Sequence, residues 1–335
     1  MHTPAPTVLV IGYSNIAARR VLPALWSTGV RGLEVASTSA TAIDWPGDTP
    51  RRFHTYEEAL AESRADLVYI STVNSAHAAL TARALDAGFH VVVDKPAALA
   101  LDDVRDLAVL AESRGRVLAE AVVWAHHPQV ARARQVFDDA GCRPTHLWAA
   151  FSFPPLPPGN FRMRAGAGGG MMNDLGPYAV TCGREFFGDA PVEVVGRVLS
   201  ATGDVDTGFS LLARYPDGRS TVGSFSCTTG YVNRLEVAGP GVVVGIERAF
   251  SPPGRVACGT ARSRRRRGEG HRGGTGGHVR GLLLGGVRGG PFRQPRAAPG
   301  SRPGGRRGTG CAAPVGAGST SRLNPLSRDR ATARS

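Results

Sequence analysis

Lys95 is the only lysine among 335 residues, and the other basic residues are all arginines. It stands in Asp94-Lys95-Pro96, directly after the apolar run 91–93. An ammonium is a compact charge with three donors that can release a proton, whereas a guanidinium stays protonated. A solvated position in so arginine-rich a chain would be expected to carry arginine. The lone lysine therefore indicates a chemical requirement, and the alternatives are chance or a structural ion pair with Asp94.

The segment from Gly168 to Tyr178 is the second one that could carry chemistry. Its three consecutive glycines let the backbone approach a ligand closely. Asp174 and Tyr178 are four residues apart, so on a helix they share one face. A phenol there can donate a proton to a carbonyl oxygen, and a nearby ammonium would lower its pKa. Pro177 must then lie early in the helix; the alternative is a flexible loop leading into a core helix.

A glycine ends the first apolar run of the chain, at the place where a dinucleotide would bind. Gly12 permits a tight turn, and the following helix offers free N–H groups to a pyrophosphate. Ser14 replaces a second glycine and can still allow the backbone to approach, or donate its hydroxyl. The candidate cofactor-binding residues of this turn are Gly12, Ser14, Asn15 and Ile16.

The second run ends in Ser37 and Thr38, without the acidic residue that usually binds a ribose 2′-hydroxyl. Small hydroxylated residues tolerate a 2′-phosphate, which favours NADP(H) over NAD(H). After the third run, Thr72 and Asn74 are candidates for lining the cofactor. His77 is either functional or packed locally at a helix start, and Asp94 and Pro96 complete the predicted cofactor residues beside Lys95.

The spacing of apolar residues predicts where these side chains lie. Between residues 7 and 122, five apolar strands alternate with helices, which indicates βαβ units and a parallel sheet. Ligands bind beyond the carboxyl ends of such strands. After about residue 145, successive strands joined by short turns predict an α+β domain with an open antiparallel sheet. The predicted domains are 1–124, 125–253 and a tail, 254–335.

The net charge of +13 is unevenly distributed. Residues 254–335 contain 18 arginines and two acidic residues, whereas residues 1–253 are slightly acidic. The tail is rich in glycine, arginine and proline, which is typical of disorder. An out-of-frame translation, a basic disordered tail and an ordered domain remain open for it. Binding to nucleic acid is expected only non-specifically, through this tail.

The five cysteines are irregularly spaced and include no CxxC pair. This pattern predicts reduced thiols, no metal site and a cytoplasmic location. The chain shows neither a signal peptide nor an apolar run of membrane-spanning length, so no membrane partner is expected.

In order and spacing, these motifs resemble the glucose–fructose oxidoreductase, inositol dehydrogenase and MocA family (Gfo/Idh/MocA). The resemblance runs from about residue 8 to residue 253 and includes His127-Pro128. It implies a Rossmann domain, a second α/β domain, a nicotinamide cofactor and hydride transfer at a sugar or polyol carbon. Asp94 replaces the glutamate of the family's Glu-Lys-Pro, and Tyr178 occupies the family's histidine position.

With that tyrosine and the segments 17–20, 126–129, 151–155 and 250–253, the chain is similar to the nucleotide-sugar 3-ketoreductases of deoxysugar biosynthesis. The resemblance implies that Tyr178 donates the proton and that Lys95 polarises or orients the substrate. Asp174 is the third candidate catalytic residue. Arg162 and Arg164 are candidates for binding a diphosphate, because guanidinium forks match phosphate oxygens; the alternative is that they are surface arginines without a role. Asn173 is a further substrate-binding candidate. A homo-oligomer is expected if the second domain is intact. The alternatives are an NAD-dependent polyol dehydrogenase of the same family and an inactive frameshifted product.

Overall fold

The computed structural model describes residues 4–38, 51–157 and 159–252. The predicted tail 254–335 lies outside these ranges, so its three interpretations stay open. Of the helices in the described ranges, none is both long and apolar enough to traverse a lipid bilayer.

The first sheet has six parallel strands in the order β3-β2-β1-β4-β5-β6. Its strands are β1 (Thr7–Ile11), β2 (Gly32–Ala36), β3 (Arg51–Phe53), β4 (Leu67–Ile70), β5 (His90–Asp94) and β6 (Leu118–Ala121). The order reverses between β1 and β4, which is the topology of dinucleotide-binding sheets. The predicted parallel sheet is confirmed, and β3 is an additional strand too short for the apolar pattern to reveal.

Helices cover both faces of this sheet, which explains why β1 is apolar from Val8 to Ile11. They are α1 (Leu22–Ser27), α2 (Tyr56–Glu62), α3 (His77–Asp86) and α4 (Leu101–Ser113), and a π-helical turn, Ala17–Val21, precedes α1. Leu9 and Ile11 pack into one hydrophobic cluster, and Val8 and Val10 pack into another on the opposite face. Alternate side chains of a strand point to opposite faces, so a strand buried on both sides loses the polar alternation.

The second sheet is open and has the order β12-β11-β7-β10-β9-β8. Its strands are β7 (His146–Ser152), β8 (Glu193–Thr202), β9 (Val205–Arg214), β10 (Ser220–Ser226), β11 (Val232–Gly239) and β12 (Val242–Glu247). β7 and β10 pair in parallel, and the other neighbours are antiparallel. The sheet is therefore mixed, where the short turns had suggested a wholly antiparallel one.

Two helices, α5 (Pro128–Asp139) and α6 (Met171–Phe187), pack on the inner face of the second sheet. Helix α5 was not predicted from the sequence, because its apolar stripe is narrow: Val130, Ala133 and Phe137 are buried among polar residues. Its start carries a clear signal nonetheless. Pro128 occupies the first helical position and His127 Nδ1 accepts a hydrogen bond from Gln129 N.

Helix α6 begins at Met171 and ends at Phe187. Asp174 therefore lies in the first turn, and Pro177 lies inside the helix in its second turn. Proline has no N–H, so one hydrogen bond to the preceding turn is missing there. Asp174 and Tyr178 share one face of this helix, as their spacing predicts.

Gly12 brings the end of β1 against the end of β4. Its φ is +92°, and a Cβ atom built there would collide with the carbonyl oxygen of Ser71. Gly29 also has a positive φ, +72°, but a Cβ there would meet nothing within 4 Å. A side chain at Gly29 would therefore meet only an unfavourable φ, whereas one at Gly12 would meet an unfavourable φ and a collision with Ser71.

We predict that Gly12→Ala lowers the free energy of unfolding by at least about 2 kcal/mol, because it adds a backbone collision to an unfavourable φ. Gly29→Ala is the matched control and should cost only about 1 kcal/mol. Urea unfolding followed by circular dichroism measures both. Equal losses in the two variants would show that the contact with Ser71 relaxes without cost.

Candidate active site

Lys95 contacts α6, the helix that packs on the second sheet. Its Nζ donates to Asp174 Oδ1 over 2.8 Å and also to the backbone carbonyl oxygen of Asp174. The two side chains are 16% and 8% exposed, so this is a largely buried ion pair. The alternative pair between Lys95 and Asp94 is wrong, because Asp94 bonds to two hydroxyl groups instead.

Asp174 holds a second cation on its other oxygen. Arg162 Nε lies 2.9 Å from Asp174 Oδ2. Its guanidinium carbon lies 4.7 Å from the centre of the Phe161 ring. One buried carboxylate therefore faces two positive charges, and the cluster of Lys95, Arg162 and Asp174 carries a surplus of one positive charge.

The Tyr178 ring lies beside this cluster, with Lys95 Nζ 4.8 Å from the ring centre. Two aromatic rings pack against it, Phe151 with a centre-to-centre distance of 5.5 Å and Phe250 with 5.2 Å. The rings exclude water from one side of the phenol while the ammonium approaches from another. The structure thus brings together Lys95, Asp174 and Tyr178, the three residues predicted to be catalytic.

Burial and charge act in opposite directions on this cluster. Burial raises the pKa of the Tyr178 phenol above its ordinary value, and the positive charges of Lys95 and Arg162 only partly oppose it. The ammonium lowers the pKa of Tyr178, as expected, but burial raises it by more, so the net shift is upward.

The ion pair stays charged in spite of its burial. Burial alone would raise the pKa of Asp174, but Lys95 and Arg162 together hold it below its ordinary value. Burial alone would likewise lower the pKa of Lys95, but Asp174 raises it. At neutral pH the cluster therefore contains a carboxylate, two cations and a protonated phenol.

A line of hydroxyl groups connects the turn after β1 with the strand end that carries Lys95. Asp94 Oδ2 accepts from Ser71 Oγ over 2.6 Å, and Ser71 Oγ lies 2.7 Å from Ser14 Oγ. Ser14 Oγ in turn accepts from Ala17 N over 3.0 Å. Since a carboxylate only accepts, Ser71 donates to Asp94 and Ser14 donates to Ser71. Tyr69 Oη donates to the other oxygen, Asp94 Oδ1, over 2.5 Å.

The turn after β1 fits the pyrophosphate of a dinucleotide. Gly12 leaves no side chain between the turn and its surroundings, and the exposed residues Asn15 and Ile16 begin the helix. First-turn N–H groups have no intrahelical acceptor and favour an anion. Ser14 Oγ donates within the hydroxyl line, so it supports this turn and does not offer its proton to a phosphate.

Three other residues predicted to bind the cofactor make contacts within the protein. Asn74 Nδ2 donates to the carbonyl oxygen of Gly168 over 2.9 Å, which ties the first sheet's loop to the glycine segment. His77 is buried, with Nδ1 2.7 Å from the Pro96 carbonyl oxygen. Thr72 lies in the same loop, where its carbonyl oxygen is 3.3 Å from His77 Nε2.

The remaining candidates lie around these contacts. Ser37 is buried and its N–H donates to the carbonyl oxygen of Phe53, whereas Thr38 is exposed. The residues that follow, 39–50, lie outside the described ranges. Asn173 Nδ2 donates to the carbonyl oxygens of Gly168 and Gly169, and Arg164 is exposed.

Sequence reasoning did not find the roles of Tyr69 and Arg162. Tyr69 interrupts an apolar strand with a hydroxyl that needs a partner when buried, which is the one signal the sequence carries for it. Nothing in the spacing connects Arg162 with Asp174. Within the ranges that the structure describes, no group of three or more metal-binding side chains comes together.

Two family models match the chain. A model described as "Oxidoreductase family, NAD-binding Rossmann fold" matches residues 7–122, and the "GFO/IDH/MocA C-terminal domain" model matches residues 130–241. The chain is 32% identical over 252 residues to a dTDP-3,4-didehydro-2,6-dideoxy-α-D-glucose 3-reductase of Actinomadura kijaniata. That match covers 73% of this chain and 75% of the relative.

Solved structures agree with this match. A 3-ketoreductase from Actinomadura kijaniata in complex with NADP and TDP-benzene superposes with a TM-score of 0.69 and 28% identity, over 75% of this chain and 78% of that one. An enzyme of gentamicin A biosynthesis in complex with NAD superposes with a TM-score of 0.63 and 28% identity, over 73% of each chain.

The hydroxyl line makes Ser71 the residue to change. We predict that Ser71→Ala lowers the free energy of unfolding by about 1–3 kcal/mol, because it leaves Asp94 Oδ2 and Ser14 Oγ without their shared partner. Ser27→Ala is the control: the Ser27 hydroxyl bonds to a carbonyl at an exposed helix end, and its loss should change the stability by less than about 0.5 kcal/mol. Chemical unfolding measures both, and indistinguishable variants would show that water replaces Ser71.

Proposed function

We infer the activity of this chain from one premise: it belongs to the Gfo/Idh/MocA family of NAD(P)-dependent oxidoreductases. We propose that it reduces a keto group on a nucleotide-linked hexose, with a hydride from NADPH, as a step in deoxysugar biosynthesis. The relatives that act on dTDP-linked keto-sugars, or that were solved with TDP-benzene, support this choice of substrate class.

One observation carries the proposal: the Lys95 ammonium lies 4.8 Å from the centre of the Tyr178 ring. Tyr178 stands on α6, which packs on the second sheet. Lys95 follows the carboxyl end of β5 in the first sheet, and ligands bind at that edge of a parallel sheet. An ammonium and a protonated phenol are a hydrogen-bond donor and a proton donor for one carbonyl oxygen. Reduction of a ketone requires the proton donor and is assisted by the second donor, because the oxygen gains negative charge as the hydride adds.

In this proposal, the nicotinamide cofactor supplies the hydride. Tyr178 Oη gives its proton to the substrate oxygen as that oxygen becomes an alkoxide. The raised pKa of Tyr178 keeps the phenol protonated until then, and Lys95 orients the oxygen and stabilises its charge. Asp174 holds the ammonium in place before the substrate arrives.

The cofactor proposed is NADP(H) in preference to NAD(H). Ser37 and Thr38 after β2 provide no acidic side chain that would repel a 2′-phosphate. The Actinomadura relative was solved with NADP, whereas the gentamicin relative was solved with NAD. Asn15 and Ile16 would hold the pyrophosphate through backbone N–H groups. Gly12, whose own N–H donates to the Ala36 carbonyl oxygen over 2.9 Å, would leave room for it.

The proposed substrate brings a diphosphate to the site. Arg164 is exposed near the glycine segment. It is the candidate whose guanidinium group is free to form two parallel hydrogen bonds with phosphate oxygens. Asn173 lies on the first turn of α6, beside Asp174. Arg162 already binds Asp174 through Nε, so we propose another role for it below.

We also propose that the chain works in the cytoplasm and that nucleic acid is not a partner of its described part. The described cysteines Cys142, Cys182 and Cys227 are all free thiols. Burial raises the pKa of the Cys182 thiol, which keeps it protonated and unreactive.

The outer face of the second sheet supports the proposal of a homo-oligomer. Trp148, Leu212 and Val222 are 45%, 47% and 43% exposed there, and they stand on three neighbouring strands. Contiguous exposed apolar surface of this kind marks an interaction site. A second copy of the chain can cover it through a symmetric contact, in which the same residues meet from both sides.

We predict that Tyr178→Phe lowers kcat for a dTDP-linked keto-hexose by roughly 10²–10⁴-fold, because the proton donor is lost. Binding of NADPH, followed by its fluorescence, should be unchanged. Tyr56→Phe on α2 is the control and should keep its activity. Retained turnover in Tyr178→Phe would remove the phenol from the mechanism.

The same assay separates the proposed substrate from the alternative. Wild-type protein is offered a dTDP-linked keto-hexose with NADPH and, separately, free inositol or hexoses with NAD⁺. Turnover of the nucleotide sugar alone supports the proposal. Turnover of free polyols alone identifies a polyol dehydrogenase of the same family.

We predict that Leu212→Glu shifts the molar mass measured by light scattering towards that of a monomer, because it places charge in the apolar outer face. Val109→Glu is the matched control, since Val109 is 67% exposed on helix α4, which packs on the first sheet. An unchanged mass in Leu212→Glu would exclude this face as the interface.

A further inference from the structure

The proposed function requires Lys95 to turn from Asp174 towards the substrate oxygen. Asp174 is 8% exposed, and a buried carboxylate that loses its only cation strongly destabilises the folded protein. If Lys95 were its only partner, movement of the ammonium would carry this penalty. The ion pair between Arg162 Nε and Asp174 Oδ2 supplies a second cation, so Asp174 stays paired when the ammonium moves.

We propose that Arg162 is a positioning residue: it keeps Asp174 paired, so that the Lys95 ammonium is free to move its hydrogen bond to the substrate. This inference rests on the proposed function. Lys95 Nζ and Arg162 Nε bind different oxygens of Asp174, so either contact can persist without the other. Arg162 thus acts through Asp174 and Lys95, without touching the reacting atoms.

The local structure holds Arg162 in this position. It lies in a short helical turn, Phe161–Met163, whose start is capped by Asn160 Oδ1, which accepts from Arg162 N over 3.1 Å. The Arg162 carbonyl oxygen accepts from Gly170 N over 2.8 Å. A Cβ at Gly169 would lie 2.5 Å from that carbonyl oxygen, so the glycines allow the segment to close on Arg162.

Arg162 also contributes to the charge around the phenol. Burial is the largest influence on the pKa of Tyr178 and raises it, while Lys95 and Arg162 lower it. The ionisable groups that face this cluster are Lys95 after β5, Arg162, the α6 residues Asp174 and Tyr178, and Cys227 after β10. Asp206 of β9 lies beside the start of α6, where Oδ2 accepts from Met172 N.

The first test measures stability and needs no turnover. In a double-mutant cycle of Lys95→Met and Arg162→Met, each single variant leaves Asp174 with one cation, and the double variant leaves it with none. Each substitution raises the unfolding equilibrium constant by some factor. We expect the factor for the double variant to exceed the product of the two single factors by at least about tenfold. The excess should disappear when Asp174→Asn is added to all four proteins.

The pH dependence of this excess has a definite sign. Without either cation, burial raises the pKa of Asp174 above its unfolded value, so the ionised form opposes folding. The excess should therefore be present at neutral pH and fade as the pH falls and Asp174 is protonated. An additive cycle at neutral pH would overturn the inference, whatever the enzyme's activity.

The second test measures turnover as a function of pH. Arg162→Met should lower kcat at least about tenfold and leave the KM for the sugar nucleotide within a factor of about three. Both limbs of its pH profile should move to higher pH, since the pKa values of Asp174, Tyr178 and Lys95 all rise without Arg162. Arg162→Lys restores the charge and should recover most of the turnover.

Arg184→Met is the matched control, because it removes an exposed arginine from the last turn of α6, and it should keep the wild-type profile. A raised KM with unchanged kcat and pH limbs in Arg162→Met would overturn the inference and assign Arg162 to the substrate's phosphates. A non-additive cycle in a protein that reduces no nucleotide sugar would leave the role of Arg162 at Asp174 intact and refute the proposed function instead.

Discussion

The buried ion pair between Lys95 and Asp174 is the interaction on which the site depends. Its two members are 79 residues apart in the chain. One follows the last strand residue of β5, and the other lies in the first turn of α6, against the second sheet. Two buried charges are stable only while paired and hydrogen-bonded, so the pair requires the two sheets to keep one fixed arrangement. Tyr178 shares a helix face with Asp174 and thereby reaches the ammonium.

Two sets of hydrogen bonds support this ion pair. The hydroxyl line through Ser14 and Ser71 fixes Asp94, the residue before Lys95, to the turn proposed to bind the pyrophosphate. On the opposite side, the amides of Asn74 and Asn173 both bind the carbonyl oxygen of Gly168. Hydrogen bonds therefore fix the backbone next to the ammonium and the backbone next to the carboxylate. A site needs such support to hold its reacting groups in a fixed geometry.

Exclusion of water has opposite consequences for the charged and the neutral members of the site. Burial raises the pKa of Tyr178 and so favours the protonated phenol that a proton donor requires. The same burial would neutralise Asp174, and it is the two cations that prevent this. Charge and burial together sort the two acidic groups into a permanent carboxylate and a proton donor, as paired acids in enzyme sites are commonly sorted.

The sequence by itself determined the parallel first sheet, the open second sheet, the family and the residues that meet at the site. The sheets and the shared helix face follow from apolar periodicity, turn glycines and the four-residue spacing of Asp174 and Tyr178, which are local properties. The family follows from the resemblance of the motifs in their order along the chain. Helix α5 and strand β3 escaped because a narrow stripe and three residues give little periodic signal. The tertiary structure alone decided which groups pair: Asp94 with Tyr69 and Ser71, Lys95 and Arg162 with Asp174. Such pairing depends on distances between elements remote in sequence, and the low dielectric of the interior then sets which of these groups remain charged.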